Sequence, residues 1–135
     1  MKLLVLDVDN TLFDWVNYYT HAFEALVLKV AKITGINSDI LFKESCEIFT
    51  SQDSIEYPFL IQSLPSVRKY YNHNVKKLLD EAVTPGRQAF LEAAEPFLKP
   101  YSDVDKTLAA LLAKNKSLQI AALTDAPRYV AMWKM

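Results

Sequence analysis

The sequence predicts an α/β fold in which an all-helical segment is inserted directly after the first strand. Three observations lead there. Residues 3–6 form a continuous apolar run stopped by Asp7 and Asp9. Residues 118–123 form a second such run, stopped by Thr124 and Asp125. Between Asp14 and Pro100 apolar residues recur at helical intervals, separated by turn residues, with no convincing strand pattern. Short apolar runs with polar ends read as buried strands of a parallel sheet, and intervals of three and four read as amphipathic helices.

Taken in order, the first strand carries two carboxylates at its carboxyl end, where open α/β sheets bind ligands. Two like charges so close are costly unless a cation or a shared proton compensates them. Trp15, Tyr18, Ala22, Leu26, Val30 and Ile33 then mark one face of a helix ending at Gly35. Ser38 and Asp39 are expected to start a second helix, with Cys46 as a packing residue within it. The polar stretch 51–58 reads as a turn, and Pro58 suits the first position of a helix that Pro65 interrupts. A short helical piece over 66–71, a turn at 72–74 with a plausible cap, and a helix through Val83 follow. Thr84 and Pro85 are expected to open yet another helix. Beyond Pro100, residues 103–114 are amphipathic, with Val104, Leu108, Leu111 and Leu112 on one face. The second strand comes next, and Pro127 suits the first turn of a final helix.

This gives three segments: a first core piece over 1–14, a helical insertion over 15–99, and a second core piece over 100–135. Two strands cannot make a stable parallel sheet covered on both faces. Further strands are therefore expected downstream of Met135 or from another chain, and self-association is one outcome of the exposed strand edges.

Composition narrows the partners. In 135 residues, 51% are hydrophobic and 12% aromatic, enough for a real core. A net charge of −1 gives no sign of a nucleic-acid surface. No stretch approaches the roughly 20 apolar residues needed to span a bilayer, so no membrane partner is expected. Cys46 is the only cysteine, which excludes an internal disulfide and suits a reducing cytoplasm. His21 and His73 stand alone in the pattern and are expected on surface or turn.

The chemistry gathers at the two strand ends. Parallel strands joined by a right-handed crossover usually neighbour each other, which would bring Asp7, Asp9 and Thr124 to one crevice. A carboxylate can act as a nucleophile, and a second one two residues on can serve as general acid and base. Mg²⁺ prefers oxygen ligands and commonly takes one or two carboxylates plus substrate phosphate. The Thr124 hydroxyl and turn N–H groups can hold phosphate oxygens. A calcium loop fits poorly, because its required Gly and Glu positions fall on Leu12 and Tyr18. The plainer readings are a turn at Asp7 and Asp9 and a helix cap at Thr124.

Asp7-Val8-Asp9-Asn10-Thr11 after an apolar strand resembles the first motif of the haloacid dehalogenase-like (HAD) superfamily. Leu123-Thr124-Asp125 is similar to its second motif, and the helical insertion resembles the cap domain of many members. The resemblance implies a Rossmann-like core, incomplete over these residues, and a Mg²⁺-dependent phosphatase acting on a small phosphorylated metabolite. It implies Asp7 as nucleophile and Asp9 as acid/base, with the Asp7 carboxylate and the Asp9 carbonyl on the metal. Thr124 would bind the phosphoryl group, helped by backbone N–H groups around Val8, Asp9 and Asp125. An Asp at position 9 favours phosphatase over dehalogenase. The family's third and fourth motifs, a basic residue and further acids, fall beyond Met135 on this reading, so the chain is expected to be the amino-terminal portion of a longer protein. A phosphotransferase or mutase, or a HAD-like binding module without catalysis, is the alternative.

Overall fold

The computed structural model describes residues 2–124. The elements are β1 (Lys2–Asp7), α1 (Trp15–Thr34), α2 (Ser38–Gln52), α3 (Leu60–Ser63), α4 (Pro65–Tyr70), α5 (Val75–Leu78), α6 (Thr84–Ala94), α7 (Val104–Lys114) and β2 (Leu118–Leu123). A π-turn over Leu79–Val83 joins α5 to α6, and a 3₁₀ turn over Glu95–Phe97 follows α6. The fold is mixed α/β, mostly helical, with β1 and β2 paired in parallel from Lys2↔Leu118 to Asp7↔Leu123. The chain divides into two compact units. One holds residues up to Tyr19 together with those from Glu95 onward, and the other is Thr20–Ala94.

In the first unit the strands are less buried than their apolar runs imply. Leu3, Val5 and Leu123 are 59%, 50% and 68% exposed. Each strand has a single neighbour among the described residues, so an apolar run is no guarantee of two covered faces. The amphipathic reading of α7 is corrected in one position: Val104, Leu108 and Leu111 are half-buried, whereas Leu112 is exposed. The predicted helix at Pro127 lies outside the described residues.

The start of α1 is set by Asp14, whose Oδ1 accepts the Asn17 N–H at 3.0 Å, a side-chain cap for a donor with no partner inside the helix. Gly35 ends it in the left-handed region, φ 73°, donating its N–H to the Ala31 carbonyl at 2.8 Å.

The second unit holds a contiguous core built on Val30, Leu41, Leu64, Val67, Leu78 and Ala82. Several of its boundaries differ from expectation for identifiable reasons. The cap of α2 is Asn37, not Ser38: Asn37 Oδ1 accepts the Asp39 N–H at 2.7 Å. On α2 it is Ser45 that is fully buried, its hydroxyl donating to the Leu41 carbonyl, while Cys46 points outward and is exposed. Pro58 does not open a helix; Pro58 and Phe59 form a turn and α3 begins at Leu60. Leu64 precedes α4 and has no side chain to cap it. Instead Glu44 of α2 accepts the Ser66 N–H with both oxygens, at 3.1 and 3.2 Å, and the Ser66 hydroxyl as well.

Thr84 and Pro85 open α6 as expected, but the π-turn over Leu79–Val83 joins it to α5 without a break in the helical path. A proline removes one helical N–H and crowds the preceding turn, and the π-turn just before it accommodates the change. The Thr84 N–H reaches back to the Leu79 carbonyl, which also accepts the Thr84 hydroxyl at 3.0 Å. Gly86 follows, and its missing side chain matters. A Cβ there would lie 2.8 Å from Ile61 Cδ1 and 3.1 Å from Val30 Cγ2, so the close approach of these elements requires glycine.

Tyr71 is 4% exposed and its hydroxyl has no hydrogen-bond partner among the described residues. Burial, then the nearby Glu81 carboxylate and Tyr70, raise its pKa above the ordinary 10.0. The folded chain thus keeps this proton to higher pH than the unfolded chain does. Below pH 10 the two states bind it alike; above it the unfolded state deprotonates first and stability falls. Tyr71→Phe is expected to stabilise the chain by about 1 kcal/mol, because an unsatisfied buried hydroxyl is costly. It should also flatten the loss of stability above pH 10, as read from urea midpoints across that range.

Candidate active site

The loop after β1 is built by its own backbone. Val8 is buried at 4% exposure and anchors the turn, its carbonyl accepting the Thr11 and Leu12 N–H groups at 3.3 and 2.9 Å. Asn10 takes a left-handed φ of 56°, a conformation that Asn tolerates better than most residues. Its Oδ1 accepts the Trp15 N–H at 3.1 Å, tying the loop to the first residue of α1. The Tyr101 N–H to Leu12 carbonyl bond, 2.8 Å, closes the other side.

On this frame Asp7 ends β1 and is exposed, while Asp9 is half-buried. The Thr11 hydroxyl donates to Asp7 Oδ2 at 3.2 Å, which orients the carboxylate and leaves both oxygens with further acceptor capacity. Thr124, one residue past β2, donates its hydroxyl to Asp9 Oδ2 at 3.4 Å across 115 residues of chain. The parallel pairing of Asp7 with Leu123 is what brings these two strand ends together. Three of the five predicted site residues, Asp7, Asp9 and Thr124, thus lie at the two paired strand ends, and Val8 supports them from beneath. Asp125 lies outside the described residues.

Two contributors escaped the sequence reading. Asn10 was part of the motif without a role, although an Asn after an Asp at a strand end is a turn signal in its own right. Asp14, three residues before Asn17 and directly before the helical pattern, carries an N-cap signature.

The donor set suits a hard cation. It consists of oxygens only, and Mg²⁺ needs one or two protein carboxylates, filling its octahedron with water and substrate oxygens. Among the described residues no group of three or more His, Cys, Asp or Glu gathers that could hold a metal alone. Asp7 and Asp9 are the residues of this site that could hold such an ion. No protein family profile, curated protein or solved structure matches this chain.

Among the described residues no helix is long and apolar enough to cross a membrane.

Proposed function

We propose that this chain carries the nucleophile and the acid/base of a Mg²⁺-dependent phosphatase of HAD-like type, acting on a small phosphorylated metabolite in a reducing, cytoplasmic setting. The observation that supports it most is the pair Asp7 and Asp9 at the end of β1, with the Thr124 hydroxyl on Asp9 from the end of the neighbouring parallel strand.

The Asp7 carboxylate attacks phosphorus, and the ester oxygen departs with a proton from the Asp9 carboxyl. The product is an aspartyl-phosphate and a free alcohol. Asp9, now ionised, takes a proton from water, whose oxygen attacks the phosphoryl group and releases phosphate and the Asp7 carboxylate. Thr11 holds Asp7 in one orientation throughout, and Thr124 offers its hydroxyl to the transferring group. Mg²⁺, held by the Asp7 carboxylate and the Asp9 backbone carbonyl, would supply neutralisation of the phosphate charge.

Phosphate release from small phosphomonoesters by the full-length protein, with and without a chelator, tests the proposal. Chelation is expected to stop release, and acid-quenched samples should carry a phosphoryl group on the peptide containing Asp7. Release that survives chelation, or a label on another residue, would overturn it.

A further inference from the structure

Residues 68–77 hold four of the chain's fifteen Lys and Arg residues and none of its sixteen Asp and Glu. They run from the end of α4 through a turn into the start of α5. Asn72 and His73 both take left-handed φ values, 49° and 60°, which reverse the chain within a few residues. The His73 and Asn74 N–H groups donate to the Arg68 and Tyr71 carbonyls, and Asn74 Oδ1 accepts the Lys77 N–H at 3.1 Å. The turn is therefore well braced.

All of these residues except Tyr71 are exposed. Among the described residues Arg68, Lys69 and Lys76 make no ion pair, and Lys77 meets Glu81 only at 3.9 Å. Between the cations stand two large uncovered groups, Tyr70 at 51% and Val75 at 64% exposure. The Tyr70 ring rests edge-on against buried Tyr71, centroids 4.9 Å apart, so it is held in place while its outer side stays open.

The form of the surface selects the partner. A site for a small anion or a peptide is concave and half-buries its lining, whereas every residue of this turn except Tyr71 is exposed. A shallow depression on its flank is lined by Asn74, Lys76, Lys77, Asp80 and Glu81, so acids as well as lysines face it. An exposed turn that carries four cations together with an uncovered tyrosine and an uncovered valine matches a broad anionic interface, with phosphate headgroups outside and acyl chains just below.

We propose that the 68–77 turn is a docking surface for an anionic phospholipid membrane. Arg68, Lys69, Lys76 and Lys77 meet headgroup phosphates, and Tyr70 and Val75 enter the interfacial zone. This assignment is independent of the phosphatase reading. The even charge balance of the whole chain conceals this local run of cations, whose nearest acids in sequence are Asp80 and Glu81 on its flank.

Co-sedimentation of the chain with vesicles tests it. Binding is expected with equimolar phosphatidylserine and phosphatidylcholine, absent with pure phosphatidylcholine, and weakened by salt. Each cation near such a surface is worth about fivefold in partitioning, so K69Q/K76Q should bind about 25-fold more weakly. V75S should weaken binding at unchanged charge, and K29Q/K32Q, exposed lysines of α1, should not. All replaced side chains are exposed, and circular dichroism confirms that each variant is folded. The proposal is overturned by no binding to the anionic vesicles, by equal binding to both kinds, or by K69Q/K76Q and K29Q/K32Q losing binding equally. It is also overturned if single-stranded DNA or an acidic peptide captures the chain under conditions where anionic vesicles do not.

Discussion

Asp7→Asn is expected to abolish Mg²⁺-dependent phosphate release by the full-length protein, with a loss larger than that of Asp9→Asn. The amide keeps the shape of the side chain and can still receive the Thr11 hydroxyl on its oxygen, so the loop should stand. What disappears is the anionic oxygen that, in the proposed mechanism, forms the bond to phosphorus. Asp9→Asn removes a proton donor and acceptor, a contribution of about 10²–10⁴-fold, but leaves the nucleophile. In the Asp9 variant the aspartyl-phosphate should accumulate when the leaving group is too good to need a proton, as with a nitrophenyl ester, because water then lacks its base. Rapid-quench measurement of phosphoryl-protein separates the two variants. Equal residual rates in both would remove Asp7 from its assigned role.

Leu41→Ala is expected to cost about 3 kcal/mol of stability, within the range for deleting a leucine from a closed core. Leu41 is 0% exposed within the core of the second unit, and its own neighbour Ile40 is 48% exposed. The pair makes an internal control. Ile40→Ala should change stability by no more than about 0.5 kcal/mol, although the two side chains are nearly equal in hydrophobic content. A domain holds only about 5–15 kcal/mol in all, so Leu41→Ala should shift the urea midpoint strongly with little change in slope. Similar costs for both variants would mean that α2 presents a different face to the core.

The comparison of expectation with structure turns on which interactions are local. β1, β2, α1, α4 and α7 follow from apolar runs, helical intervals and the stops at Gly35 and Pro100, all of which act within a few residues. The caps were misassigned where two candidates stood together: Asn37 and Ser38 are both good caps, and only the backbone angles at Asn37 decide between them. Cys46 and Ser45 are adjacent on α2, and which one turns inward depends on the orientation of the helix, a tertiary quantity. Glu44 capping α4 spans 22 residues and leaves no sequence signal. At the candidate site, the carboxylates and Thr124 could be read because polar residues at strand ends are conspicuous. The work of Asn10, a left-handed turn held to α1, could not, since it depends on a backbone conformation.

The π-turn before Pro85 has a consequence for the whole α5–α6 path. Leu78, Ala82, Gly86 and Ala94 are the residues of that path that are buried, and their positions all differ by multiples of four. At about 100° per residue, an unbroken α-helix would rotate Ala94 about 160° away from Leu78, nearly to the opposite side. A π-turn takes up one additional residue for a full revolution, which cancels about 100° of that rotation. The widened turn thus works as a phase corrector: it lets a strict period of four, too long for an α-helix, keep a single buried side. It also delivers Gly86 to the side that meets Ile61 and Val30.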